Sequence, residues 1–532
     1  MIFTLHRYIF RELFKVFVLA AVALTLMMSL GSILRPVQEY GVGPRQVLHL
    51  IGYFLPITLT FVLPMAALFA AALVYGRFAS DNELDACKAS GISLCTLVYP
   101  GLALAIIVAT ANLFLSFHVV PVFVRRAEIS FKADAKQILF RNIQRRGYYK
   151  PPDGRYLIYA DQANLQNDKL SGVVVVEVKD RGIEKVITAE SAKVHFNPRD
   201  KFNQVQITAH NASQMDSEGS LSLGLSSFTA EFGLLLRDDI RFKKIDEMKK
   251  IRVDPMRFSP IEKLARQTYA QFTAELLAQD IADKIARGTE LGARDPSFYK
   301  LHSDQSFVEF TASRCSARDE RKVELSGEVV VVESDAASKQ PLRTLRATKA
   351  LLYIEGDEPA PTLTMDIYNP TWKRADGPEG FAQRIIFRGL IIDKFATKNL
   401  WAAIDPDSMA SALQKGPSPK LKSLQNNLQR KIQRTLAEIN AEMHSRLVFG
   451  IGCLPLVLIG IGLGIIFKGG HLLTAFGASA VPAAVLIVCI MSGFQLTRNL
   501  GAPSGYGLTL MWTGLVLLTF LAAAIYRKLL KN

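Results

Sequence analysis

Between residues 76 and 93 the chain reads Gly-Arg-Phe-Ala-Ser-Asp-Asn-Glu-Leu-Asp-Ala-Cys-Lys-Ala-Ser-Gly-Ile-Ser, a short polar stretch between two apolar runs. Ser80 stands three residues before Glu83, the spacing of a capping box; Asp81 and Asp85 complement the positive end of a helix, and Gly91 supplies a stop. A short acidic helix is therefore expected over residues 77–91. Its carboxylates have two uses. They satisfy the helix's own N-terminus, or Glu83, with Asp81, Leu84 and Asp85 around it, docks into a basic cleft of a partner. A second set of chemically capable residues is basic. Arg35, Arg125 and Arg126 sit where apolar runs end, and a guanidinium grips a phosphate through two parallel hydrogen bonds. The same side chains also suit plain anchoring among anionic headgroups.

Other chemistries lack their residues. There is no G-x-x-x-x-G-K-[ST] phosphate loop, no H-E-x-x-H and no G-x-S-x-G, and the eight histidines are scattered without ligand spacing. No catalytic residue, cofactor or metal is expected. Gly460-Ile-Gly-Leu-Gly464 follows no strand and lies inside an apolar run, so it reads as close helix packing rather than a dinucleotide fingerprint. The net charge of +15 does not imply nucleic acid. Basic stretches such as Lys243 to Arg252 include Asp246 and Glu247 and read as solvated faces.

The elements that must position these residues are mostly apolar helices. Charge-free runs occupy Val16 to Leu34, Gln46 to Gly76, Ile92 to Val124, Leu447 to Phe467, Leu472 to Thr497 and Asn499 to Tyr526. Each has the ~20 residues a helix needs to cross a bilayer. Three lie at each end of the chain, which excludes a soluble enzyme. The first run is too long for a signal h-region and is expected to stay as a helix. Lys and Arg in the short loops divide nine to three (Arg7, Arg11, Lys15, Arg77, Lys88, Lys468, Arg527, Lys528 and Lys531 against Arg35, Arg45 and Arg498). That bias puts both termini in the cytoplasm and the centre outside. Arg125, Arg126, Lys132, Lys136 and Arg141, just after the third run, oppose it.

The centre, residues 125–445, has ordinary soluble composition. Short β-branched runs at Tyr156 to Ala160, Val173 to Val178, Val186 to Phe196 and Gln204 to Ala209 predict a β module over 125–236, a sandwich or jelly roll. The pattern recurs: Leu170-Ser-Gly172 returns as Leu325-Ser-Gly327, Ala189-Glu-Ser-Ala192 as Ala347-Thr-Lys-Ala350, and Asn211 as Asn369. A second module is thus expected over 301–398. Ser259-Pro-Ile-Glu262 resembles another capping box and opens a helical insertion, within 237–300, that runs to Gly288. Gly416-Pro-Ser-Pro419 reads as a linker. Leu424, Leu428, Ile432, Leu436, Ile439 and Met443 then form an amphipathic stripe that continues into the fourth membrane helix, giving 399–445 as linker and helix before the final 446–532 bundle. One long helix would couple domain to bundle. Of the five cysteines only Cys315 belongs to the centre, so no disulfide is expected there.

Taken together, several pieces resemble one family. Tyr8-Ile-Phe-Arg-Glu-Leu13, Pro56 and Pro64, Glu83-Leu followed by Ala89-Ser-Gly-Ile-Ser93, Pro121, Glu442-x-His-x-Arg446-Leu, and Asn499-Leu-Gly-Ala-Pro503 with Trp512 are similar in order and spacing to the LptF/LptG permeases of lipopolysaccharide exporters. The resemblance implies a six-helix (3+3) inner-membrane subunit with an inserted periplasmic β-jellyroll domain. It further implies a second LptF/LptG-type subunit, a cytoplasmic LptB-type ATPase, and delivery of lipopolysaccharide to an LptC/LptA-like bridge protein. Glu83 then becomes the carboxylate that meets the ATPase, while Arg35, Arg125 and Arg126 meet lipid phosphates. Residues 237–398 look like a departure from the family pattern. Two rival readings are a MacB/FtsX-like mechanotransmission subunit, which places its outer domain after the first of four helices, and a non-transporting envelope scaffold.

Overall fold

The computed structural model describes residues 2–531 except 41–43, 152–155, 180–181, 197–203, 217–218, 232–238, 291–297, 303–305, 320–321, 336–339, 356–361, 375–376, 392–412, 414–415, 468–471, 500 and 502–504. For others, among them 32–40, 44–50, 128–135 and 219–231, it describes the backbone alone. In chain order the helices are α1 (Ile2–Tyr40), α2 (Pro44–Ser80), α3 (Glu83–Ala89), α4 (Leu94–Phe114), α5 (Val120–Arg146), α6 (Ile245–Val253), α7 (Ser259–Glu290), α8 (Pro419–Ile466), α9 (Leu472–Arg498) and α10 (Tyr506–Lys531). The chain forms two compact units, residues 1–252 with 434–532 and residues 253–433.

In the first unit the apolar runs become helices. Among the described residues, six helices are long and apolar enough to cross a membrane: α1, α2, α4 with its continuation, α8, α9 and α10. The protein is a helical membrane protein with inserted β structure. Ala66, Ala67, Ala70 and Ala71 of α2 are fully buried, and these small side chains let neighbouring helices approach closely. Gly464 of α8 shows how close. A Cβ there would lie 2.7 Å from the Ala72 carbonyl oxygen and 3.0 Å from the Gly76 nitrogen. The glycines of 460–464 serve packing, as their setting predicts.

The third membrane helix does not end with its apolar run at residue 124. A five-residue π-turn, Leu115–Val119, joins α4 to α5, and the helix runs on to Arg146. The physical reason is Pro121, which has no N–H and crowds the carbonyl four residues back. A wider turn absorbs the insult without ending the helix. The end of α5 lies on the first sheet, where Ile138, Leu139, Phe140 and Ile143 pack with Ile158, Leu170, Val173 and Ile207. Lys136 pairs with Asp168 of the β2–β3 turn, so one of the basic residues that opposed the charge bias has a partner within the fold.

That sheet holds β1 (Tyr148–Tyr149), β2 (Tyr156–Asn164), β3 (Lys169–Lys179), β4 (Gly182–Phe196), β5 (Gln204–Asp216) and β6 (Gly219–Glu231), each antiparallel to the next. The connectivity is a meander. The strands exceed their β-branched runs because polar residues alternate onto the outer face and continue the pleat.

In the second unit, β7 (Tyr299–His302), β8 (Ser306–Asp319), β9 (Lys322–Asp335), β10 (Pro341–Glu355), β11 (Thr362–Tyr368), β12 (Thr371–Arg374), β13 (Glu379–Phe381) and β14 (Arg384–Ile391) follow. Positions matched by the sequence repeat hold matching places. Leu170 faces Ala192 and Leu325 faces Ala350; Gly172 and Gly327 both have positive φ, as do Asn211 at 50° and Asn369 at 49°. After Asn369 comes Pro370, and here the strand divides: β11 and β12 together pair with β10 as β5 alone pairs with β4. Freed in this way, β14 bonds β11 on one side and β7 on the other, so the sheet closes on itself. Its interior is packed solid by Val308, Phe310, Val331, Leu352 and Met365, with Leu277 and Ile281 of α7 against it.

Local corrections concern helix ends. α7 begins at Ser259 with the Phe258 carbonyl accepting the amides of Ile261 and Glu262, so the cap position falls one residue before the expected box, and the helix passes Gly288 to Glu290. The Gly416-Pro-Ser-Pro419 segment is anchored rather than loose. Ser418 caps α8 by accepting the Leu421 amide, and its own amide donates to Glu275 of α7 at 3.0 Å.

Candidate functional site

Three places in the first unit gather chemically capable side chains. At α3 the acidic helix exists, but its expected cap does not. Ser80 ends α2 and donates to the Arg77 carbonyl, Asp81 lies in the turn, and the cap position is Asn82 in the left-handed region at φ 60°. The local chain reverses too sharply for Ser80 to reach the α3 amides. The C-terminus behaves as glycine dictates. Gly91, at φ +83°, donates to the Lys88 carbonyl and Ile92 to that of Cys87, a Schellman pair.

Asp81, Glu83 and Asp85 are exposed, while Leu84 is 4 % exposed and buried with Phe78, Ala79 and Leu97. Leu84 is thus an anchor that fixes which face of α3 shows its carboxylates. Glu12 of α1 pairs with Lys15 at 2.8 Å and with Arg77 of α2 at 3.5 Å, and the Arg77 guanidinium lies over the Phe78 ring. The helix thus lies against α2, which this ion pair ties to α1.

The second place is the arginine pair. Arg125 and Arg126 are exposed, though within a continuing helix rather than at its end, and Arg126 lies 5.9 Å from the Phe123 ring. Arg35 likewise sits inside α1, which runs on to Tyr40; its side chain lies outside the described residues. Among the described residues no contact joins Arg125 or Arg126 to α3, and the three arginines occupy other stretches of the bundle helices.

The third place was not singled out as a site from sequence, although its residues stand in the motif Glu442-x-His-x-Arg446. Arg446 of α8 is 7 % exposed. Its Nε donates to Glu442 Oε1 at 2.9 Å, one Nη to the Ser116 carbonyl at 3.1 Å and the other to the Arg241 carbonyl at 2.7 Å, with the Phe117 ring 5.5 Å away. Four residues before Glu442 on the same face, Glu438 pairs with Arg498 of α9 at 2.5 Å. Phe494 lies 5.6 Å from Arg498 and 5.9 Å from Arg241. His444 accepts from Trp512 Nε1 of α10 at 3.3 Å. Buried charges within a membrane helix are costly and are held where they do something. The i, i+4 spacing of 438, 442 and 446 was the available sequence signal. It was masked because two of the three partners of Arg446 are backbone carbonyls.

Among the described residues no cluster of His, Cys, Asp or Glu could hold a metal ion. Against known families, the model of the lipopolysaccharide export system permease LptF/LptG matches residues 7–287 and 320–528. The match takes in most of 237–398, correcting the expectation that this stretch stands outside the family pattern. No curated protein matches the chain.

Proposed function

Because the chain belongs to the LptF/LptG family of lipopolysaccharide export permeases, we propose that it is one permease subunit of an ATP-driven exporter in the inner membrane, working with a second LptF/LptG-type subunit and a separate LptB-type ATPase. The observation that carries this is α3, a helix whose Leu84 is locked into the bundle while Asp81, Glu83 and Asp85 face out. Such a helix is built to receive a push. Moving one acyl chain of ~14 carbons from bilayer to water costs roughly 11 kcal/mol at ~0.8 per CH₂, and a multi-chain lipid several times that. Release into water is excluded on energy, so the lipid passes from the bilayer to protein.

In this reading α1, α2 and α9 line a lateral opening toward the second subunit, and Arg35, Arg125 and Arg126 receive the lipid phosphates as bidentate partners. Closure driven through α3 moves the lipid to the first β-sheet and on to an LptC/LptA-like periplasmic bridge. Both termini are cytoplasmic and the β modules periplasmic. The second sheet, whose described interior is packed with side chains such as Val308, Phe310 and Leu352, takes another role in this reading.

The test is Glu83→Lys in the complete exporter reconstituted in vesicles. Since Glu83 is exposed, folding is retained, while ATP-dependent lipid release falls at least tenfold and the ATPase no longer co-purifies. Release at the wild-type rate by this variant, or by a complex whose ATPase is catalytically dead, overturns the proposal.

A further inference from the structure

Arg446 does something that packing alone does not ask for. In a regular α-helix the Ser116 carbonyl would receive the Val120 amide; here that amide donates to Leu115, and position 121, the next donor along, is proline. Arg446 meets this carbonyl from another helix. With its second Nη it meets the carbonyl of Arg241, in the short turn Ile240–Phe242 by which the chain returns from the first sheet to the bundle. With Nε it is held by Glu442 on its own helix.

A planar guanidinium offers five donors in a fixed fork, and three acceptors in three directions use that geometry; a lysine ammonium cannot reach all three from one nitrogen. Phe494 between Arg241 and Arg498, and Arg498 on Glu438, bring α9 into the same knot.

We propose that Arg446 is a positioning residue for transfer: it clamps the π-turn of the third membrane helix and the return segment of the first β module to one point on α8, so that displacement of the bundle is delivered to the sheet. The clamp rests on the permease reading only for its transport readout; the mechanical link is testable by itself. Glu442 is the third arm and orients the fork. Pro121 makes the clamp necessary, since it withholds the amide that would otherwise close the turn.

The experiment uses the full chain in the reconstituted exporter, with Arg446→Lys, Arg446→Met, Pro121→Ala, and Arg446→Met combined with Pro121→Ala. Two quantities are read: the distance distribution between spin labels at the exposed positions Phe114 and Lys244, and lipid crosslinking to the first sheet relative to ATP hydrolysis. Wild type and Pro121→Ala give one narrow distribution. Both Arg446 variants broaden it and lower crosslinking at least tenfold per ATP hydrolysed. In the double variant thermal stability returns, because position 121 again carries an amide, but distribution and crosslinking do not. Recovery of all three in the double variant, or full coupling by Arg446→Lys, overturns the proposal and leaves Arg446 a packing residue. A wild-type complex that crosslinks no lipid yet shows the label changes refutes the permease reading and leaves the clamp standing.

Discussion

Gly464→Ala tests how tightly α2 and α8 are bound. The added Cβ lies 2.7 Å from the Ala72 carbonyl oxygen, where ordinary contact begins at 3.4 Å, so the overlap is about 0.7 Å. Both opposing atoms, Ala72 O and Gly76 N, are backbone, and no rotamer change can relieve them; the helices must part. One turn earlier, the Cβ position of Gly460 is only 3.0 Å from the Leu68 carbonyl oxygen, so the seam is close over its length. Overpacking of this kind costs about 1–3 kcal/mol. Alanine's better helix propensity returns about 0.5–1 kcal/mol. The net expectation is a loss of about 0–2.5 kcal/mol, toward the upper end because the opposing atoms are backbone.

Gly477→Ala is the internal control, since a Cβ there meets nothing within 4 Å and only the propensity gain remains. Equilibrium unfolding in mixed micelles reads both variants. A Gly464→Ala protein as stable as Gly477→Ala would refute the claim that backbone contact, rather than side-chain packing, sets the distance between these helices.

Two further outcomes follow from the second unit. Burial pushes the Cys315 thiol up from its ordinary 9.0 to about 12, so at pH 8 its thiolate fraction is about a thousandfold lower than that of an unperturbed thiol. Maleimide should modify Cys315 about that much more slowly in the folded chain than in denaturant. By linkage, the neutral thiol's contribution to stability is complete below pH 9 and is lost as pH rises toward 12. Asp366 and Arg384 form a buried pair with side chains 3 % and 10 % exposed, Nε donating to Oδ1 at 2.6 Å. Asp366→Asn should destabilise by about 3–5 kcal/mol because the arginine stays buried, whereas replacing both by apolar residues costs less. A denaturant titration showing strictly additive losses would contradict this.

The six apolar runs determined the bundle, because twenty residues without charge have few other places to go, and the resemblance carried by Glu83, Pro121 and Arg446 determined the family. The repeat of Leu-Ser-Gly and of Asn211 at Asn369 was legible because each marks a backbone position with positive φ or a fixed register, and such constraints are written in residue type. The tertiary structure decided what depends on partners distant in sequence. Leu84 became an anchor only through Phe78 and Leu97, and Ser80 lost its cap to the end of α2. The second sheet closed because β14 could reach β7, a pairing across 89 residues that no local pattern encodes. The grip of Arg446 on Ser116 and Arg241 was equally hidden. A carbonyl has no side-chain identity, so sequence can offer a guanidinium and a proline, but only the fold brings them to the same turn.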